Sequence, residues 1–446
     1  MKKRNIALGI LALATAGLGT AAYMAIPQVH DGAVGEAPEL GRFGVYTVGT
    51  AEQDFTFEGR VTFTKLGMAT GAVEREDRTV KVRLWYPADG ANGARPVTYV
   101  HTMRPSDMEP FTLQFDGRAF SDVAPVSGEQ FPLVIISHGF NGWNTQLSNL
   151  GEHIASHGYI VASIDHGDMP IEDVSDFVHS FSKVLVDRSL DQRQVLGALL
   201  ADAAAGRGPI AKLIDPERVG LIGYSMGGYG AIATAGADYD YASDTFDTVP
   251  TAALDALRAA SKEPAPLDAV IAFAPWGGQP DNRVWSAEKL GRLSIPAMIV
   301  SGSEDDVSNH AEGVHWVFEQ LQGTTRHLLT YREARHNIVG NAFAIAEDAP
   351  FRIAEFLNEP VWRQDRINAI NQHFVTAFLD LHLKGDAAKA AYLSVPVSNA
   401  NDSRWQAQFG EQLNGKLAGD GEPEHWRGFQ RRWAVGLNFE TLESSQ

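Results

Sequence analysis

Short saturated apolar runs recur along this chain at 131–137, 159–164, 219–222, 269–274, 295–302 and 327–331, with the length and composition of strands buried on both faces. Residues 79–86 differ: they alternate apolar and polar positions and stop at Pro87, as a half-buried antiparallel strand does, and 97–101 reads as a second strand of that kind. Between the later runs lie stretches of helical character at 145–157, 184–205 and 227–235. Ile367, Ile370, Phe374, Phe378 and Leu381 mark one face of a long helix near the end. Strand and helix in alternation predict an α/β protein whose sheet is mostly parallel, twisted and flanked by helices.

Four segments break the rhythm. Residues 31–59 are rich in Gly, Ala and acidic side chains and read as a linker with a short strand near 45–48. Residues 103–130 have no clean period, and 238–266 is acidic, Tyr-containing and weakly helical only at 251–260, as a small cap-like insertion or an ordinary excursion would be. The final stretch, 401–446, is a tail with few apolar residues before Trp426, Phe429 and Trp433. The folded domain is thereby predicted over 60–400.

Ahead of the linker, residues 1–30 hold Lys2, Lys3 and Arg4 followed by an uncharged, largely apolar run from Ile6 to Ile26. As a helix that run would extend about 31 Å, enough to span a bilayer. It predicts an exported protein, periplasmic or secreted, with 6–26 acting as a signal peptide or as a membrane tether.

Composition narrows the chemistry. The chain of 446 residues is 44% apolar, so it can bury a large core, and its formal net charge of −18 opposes nucleic-acid partners. It has no cysteine, which removes disulfides, thiolate metal sites and a cysteine nucleophile together. No phosphate-binding loop and no metal-ligand cluster is legible, so the reading needs no cofactor. His153 and His157 lie four apart with no carboxylate completing a zinc pattern, and His166 falls on a loop beyond a strand.

The informative motif is Gly223-Tyr-Ser225-Met-Gly227, placed between a strand and a helix. G-x-S-x-G in that setting is a nucleophile elbow, in which small neighbours let a strained turn lift the serine hydroxyl above the sheet. Acyl transfer also needs two backbone N–H groups aimed at the developing oxyanion. Met226, after the nucleophile, and Phe140, in the His138-Gly139-Phe140-Asn141-Gly142 turn after an earlier strand, are the candidates. Asp305, three residues past the strand end at Gly302, is the candidate acid, with Asp306 its close competitor and Glu304 a distant one. His336, on the loop beyond the last strand, is the candidate general base. Tyr224 and Trp276, beside the elbow and on a loop past a strand, are candidate substrate-facing residues.

Taken together, Val82–Pro87, Ser137–Gly142, Ala155–Ala162 and Gly223–Gly228 resemble the α/β-hydrolase branch of predicted dienelactone hydrolases and platelet-activating-factor acetylhydrolase-like esterases, over roughly 79–393. The resemblance implies an eight-stranded sheet and cleavage of carboxylic esters through an acyl-serine. Dienelactone hydrolases have cysteine where this chain has Ser225. The acetylhydrolases place their acid after the strand that here ends at Pro275-Trp276, so the role passes to Asp305. A shorter similarity, Ser225-Met-Gly-Gly with the later Ala-Pro-Trp276, is to cutinase-like polyester hydrolases, whose Trp faces substrate. The expected partner is a small, lipid or polymer ester. An acyltransferase using the same three residues, and a non-catalytic envelope protein that keeps the fold to bind a ligand, are the alternatives.

Overall fold

A computed structural model describes residues 36–445 apart from 92, 105–108, 344–348, 405–423 and 431. The N-terminal basic and apolar segment therefore lies outside the described residues. Eleven strands form one sheet in the order β11-β10-β9-β8-β7-β5-β6-β2-β1-β4-β3. They are β1 (Thr47–Thr62), β2 (Glu74–Ala88), β3 (Pro96–Met103), β4 (Phe111–Ser121), β5 (Phe131–Ser137), β6 (Ile160–Asp165), β7 (Ile214–Tyr224), β8 (Ala269–Phe273), β9 (Ala297–Gly302), β10 (Arg326–Tyr331) and β11 (Leu437–Leu442). Neighbours from β6 through β10 pair in parallel, whereas β2 pairs antiparallel with β6 and with β1.

The parallel strands are buried on both faces, which is why they read as unbroken apolar runs. In β5, Leu133 and Ile135 enter one core while Val134 and Ile136 enter the other. The first core is closed by α2 (Val174–Ala205) and α3 (Met226–Thr234), and the second by α1 (Ser148–Ser156) and α6 (Gln364–Leu383). Ile367, Ile370, Phe374 and Phe378 of α6 are buried on the sheet as expected, with Leu381 partly covered at the edge. Gly220 of β7 sits beneath α6: a Cβ there would lie 3.1 Å from Leu383 Cδ1.

Three departures from the sequence reading enlarge the sheet beyond eight strands. The linker predicted over 31–59 instead contributes most of β1, paired with β2 from Thr47↔Ala88 to Thr62↔Glu74. Its apolar signal is thin because much of the strand is solvent-facing; Phe55 is buried while Thr56 and Glu58 are exposed. The irregular insertion 103–130 holds β4, which hairpins with β3. That hairpin is anchored by buried Glu152 of α1, which accepts from Tyr99 Oη at 2.6 Å and from the Arg118 and Ala119 amides at 2.8 and 3.1 Å. The tail supplies β11, antiparallel to β10 from Arg326↔Leu442 to Tyr331↔Leu437, with Leu437 and Phe439 fully buried. The tail thus covers a sheet edge that would otherwise be unpaired.

The segment 238–266 does form a helix at 251–260, α4 (Thr251–Ala260). It is not a cap over the strand ends: Ala253 and Leu257 pack into the first core, and Thr248 hydrogen-bonds Ser182 of α2. The element that borders the cleft is α5 (Phe351–Leu357).

Candidate active site

The elbow places a non-glycine residue that carries a nucleophilic hydroxyl in a strained backbone conformation. Ser225 joins β7 to α3 with φ 53° and ψ −114°. Both motif glycines are required by contact. A Cβ on Gly223 would fall 2.2 Å from the Gly227 carbonyl oxygen, and one on Gly227 would fall 2.0 Å from the Ser137 carbonyl oxygen. The turn is pinned by Ser225 N–H to Phe273 O at 2.9 Å and by Tyr229 N–H to Ser225 O at 2.9 Å.

Three side chains from three strand ends converge on it. Ser225 Oγ lies 3.0 Å from His336 Nε2, and His336 Nδ1 lies 3.0 Å from both carboxylate oxygens of Asp305. The Asp305 side chain is wholly buried and its Oδ1 also accepts from the Val307 and Ser308 amides at 3.0 and 2.9 Å. These bonds orient the acid and leave Nδ1 of His336 as the proton-bearing nitrogen, so Nε2 faces the serine as an acceptor. Asp306, the competitor in the sequence, turns to solvent and pairs with Arg335. Glu304 is occupied locally with Ser303.

The expected oxyanion donors lie on either side of the serine. Met226 is the first residue of α3, where helix geometry leaves its N–H without an intrahelical acceptor. Phe140 follows Gly139, whose Cβ, were there one, would lie 3.2 Å from the Ser225 Cβ. Among the described residues neither the Phe140 nor the Met226 N–H has a protein acceptor, so both are left available to a ligand atom in the cleft.

The cleft above Ser225 has a volume of about 470 Å³. Tyr224 lines it, with its hydroxyl donating to Asn337 Oδ1 at 3.2 Å, and burial followed by the Asp305 charge pushes its phenol up so that it stays protonated. Trp276 does not face the cleft. It is buried, edge-on to Tyr229 and Phe181, because the chain turns at Pro275 and tucks the indole under α2 and α3. The apolar wall is instead built by Phe140, Val307, Phe351 and Phe356, and Gln146 and Arg335 supply polar groups. The α5 residues escaped notice since a seven-residue helix gives little periodic signal. Asn337 ties that helix to the histidine loop, donating to the carbonyls of Glu355 and Asn358 at 2.9 Å each.

Four other histidines are held by contacts away from the cleft. His153 meets Thr376 at 2.8 Å, His157 caps α1 and meets the Arg42 carbonyl, and His373 accepts from the Leu40 amide. His166 is buried rather than cleft-lining: its Nε2 is 2.8 Å from Ser137 Oγ and its Nδ1 2.9 Å from Asp191. This is a second Ser–His–Asp constellation, set apart from the one in the cleft by its burial, by Gln192 donating to its serine and by Arg60 and Arg78 pairing with its aspartate. No group of three or more potential metal ligands occurs among the described residues.

With this geometry in view, comparison with known proteins is informative. A family model described as PET hydrolase-like matches residues 123–241, which include the 138–142 turn and the elbow. A ferulic acid esterase structure from Streptomyces cinnamoneus superposes with a TM-score of 0.51 at 20% identity, covering 76% of this chain and 91% of the other. The chain has the α/β-hydrolase fold. Among sequence relatives of this chain, a bis(hydroxyethyl) terephthalate hydrolase of Streptomyces coelicolor is 27% identical over 206 residues, 44% of this chain and 48% of the relative. Cutinase est1 of Thermobifida alba is 26% identical over 42% of this chain and 48% of its own length. A bovine platelet-activating factor acetylhydrolase is 29% identical over 28% and 27% of the two chains. The chain thus spans about half the length, or less, of the curated relatives it matches, and all of these relatives carry the names of ester-cleaving enzymes.

Proposed function

We propose that this chain is an exported serine carboxylesterase. The observation that carries the reading is the continuous hydrogen-bonded line from Ser225 Oγ through His336 to the buried Asp305. In the proposed mechanism His336 Nε2 takes the Ser225 proton as Oγ attacks the ester carbonyl carbon. The resulting oxyanion is held by the Phe140 and Met226 N–H groups, the second strengthened by the positive end of α3. Collapse passes the proton from His336 to the leaving alcohol and leaves an acyl-serine. Water, deprotonated by His336, then releases the acid and restores Ser225. Asp305 orients the imidazole and stabilises the imidazolium in both halves.

The preferred substrates are esters of flat or chain-like apolar acids. Phe140, Val307, Phe351 and Phe356 offer apolar contact on the acyl path, while the volume of about 470 Å³ suits one small-molecule ester or one unit of a polyester. The relatives named as terephthalate-ester hydrolase and cutinases favour the aromatic and polyester end of that range. A pure binding protein has no need of three groups so aligned. The proposal of export rests on the basic residues 2–4 and the apolar run 6–26.

Treatment of the full chain with a fluorophosphonate probe, followed by peptide mapping, is expected to give an adduct on Ser225 that His336→Ala abolishes. Hydrolysis of p-nitrophenyl esters of increasing acyl length then ranks substrates. Ser225→Ala with undiminished esterase activity would overturn the mechanism. Recovery of the full-length protein from the cytoplasmic fraction of its host would overturn export.

A further inference from the structure

We infer that the buried pair Arg188–Asp168 is a positioning device for the oxyanion hole, holding the peptide that carries the Phe140 N–H. This rests on the reading of Phe140 as an oxyanion donor. Arg188, on α2, has no exposed side-chain surface, and its guanidinium forks onto Asp168 at 2.7 and 2.5 Å. The same Nη2 donates to the Gly139 carbonyl at 2.9 Å, and Asp168 Oδ2 accepts from the Asn141 amide at 2.7 Å. The Gly139 carbonyl and the Phe140 N–H belong to one planar trans peptide, so fixing the oxygen on one side fixes the N–H on the opposite side. One ion pair therefore grips the peptide groups on both sides of residue 140.

Everything else about this turn is also fixed from behind. His138 Nε2 accepts from the His166 amide at 3.1 Å, which leaves the proton on Nδ1, and that nitrogen lies 2.7 Å from the same Gly139 oxygen. Gln192 Nε2 donates to Ser137 Oγ at 2.9 Å, and Ser137 in turn meets His166, whose other nitrogen is held by Asp191. Asp191 is anchored by Arg60 and Arg78. The Phe140 ring packs edge-on against Phe177 and Phe181, which share a helix with Arg188. Among the polar groups of 137–141, the Phe140 N–H is left pointing at no protein acceptor.

The arrangement is expensive for stability alone, because Arg188 Nε is buried without an acceptor and buried ion pairs are commonly matched by apolar substitutes. Donation from a cation to the Gly139 oxygen also polarises that peptide, making its N–H a stronger donor.

The test compares an oxoester with the matching thionoester, whose sulfur is a poor acceptor for oxyanion-hole N–H groups. In the unaltered enzyme the oxoester is expected to react far faster. Arg188→Lys keeps a charge opposite Asp168 but cannot fork onto Gly139, and the double variant Arg188→Met with Asp168→Leu removes both charges so that neither is stranded. Each is expected to lower kcat for the oxoester by about 10²–10³, as losing one oxyanion donor does. KM, the thionoester rate and the pH profile of kcat should stay within a few-fold. An oxo/thiono preference that survives in both variants overturns the positioning role while leaving the donor reading intact. No such preference in the unaltered enzyme overturns the donor reading itself. Equal loss on both substrates, with a changed pH profile, would mean that the pair supports the fold and not the hole.

Discussion

Asp305→Asn isolates the carboxylate of the proposed triad with almost no change of shape. In the native site Oδ1 accepts two backbone amides, from Val307 and Ser308, as well as facing His336 Nδ1, whereas Oδ2 faces His336 alone. An asparagine therefore keeps its oxygen at the Oδ1 position, where two N–H donors demand an acceptor, and puts its NH₂ at the Oδ2 position, 3.0 Å from Nδ1 in the present geometry. Two donors cannot face each other there, so the imidazole proton shifts to Nε2. The histidine then donates to Ser225 where it should accept. Loss of the correct tautomer in a serine triad lowers kcat by about 10⁴, roughly 5.5 kcal/mol of transition-state stabilisation. Steady-state hydrolysis of p-nitrophenyl acetate measures it, with thermal melting alongside, since the isosteric change should leave the fold near wild type. Asp306→Asn is the matched control: it weakens an exposed ion pair with Arg335 at the rim of the cleft, without touching His336 Nδ1, and should change activity and melting little. Asp305→Asn with more than a tenth of wild-type activity, or Asp306→Asn with the larger loss, would refute the assignment of the acid.

Three further outcomes are expected. Gly227→Ala, whose Cβ would lie 2.0 Å from a backbone oxygen, should reduce esterase activity at least about 100-fold, while Gly197→Ala, in open space within α2, should raise stability by about 1 kcal/mol in a urea titration. Acid should weaken the fold: burial, with Arg188 adding to it, holds His166 down to about 3, and burial likewise holds His373 at about 3 and His327 at about 4, so the unfolded chain takes up those protons first and stability falls as pH drops from 6.5 toward 3. Burial raises Asp168 but the Arg188 charge outweighs it and brings the carboxyl from 3.8 to about 2, a further loss of roughly 2 kcal/mol as pH falls through that range; a urea midpoint that is flat or rising on acidification would contradict both signs. Phe439→Ala removes a fully buried ring stacked 5.0 Å from Phe374 and should cost about 3–5 kcal/mol by thermal or urea unfolding, leaving kcat unchanged below the transition.

Much of this fold was written locally. The buried parallel strands were legible since both faces of each are covered, so a run such as Val134-Ile-Ile136 is apolar without interruption. The elbow was legible because steric contact at Gly223 and Gly227 admits no side chain. The order Ser225, Asp305, His336 followed from strand ends that a parallel sheet must bring to one side. What the chain order could not convey was pairing and depth. β1 and β11 are edge or near-edge strands whose polar positions face water, so their apolar signal is weak and only their partners β2 and β10 define them. Asp305 and Asp306 are adjacent and chemically alike; the turn that sends one inward to two amides and a histidine, and the other outward to Arg335, is a tertiary outcome. Trp276 was judged by its place past a strand, yet Pro275 and the packing of α2 decide which way the indole points. The sharpest case is the pair of Ser–His–Asp sets. Ser137, His166 and Asp191 are bonded much as Ser225, His336 and Asp305 are, but the first serine is sealed in the core and the second opens on a cleft, and access to solvent is a property of the assembled molecule alone.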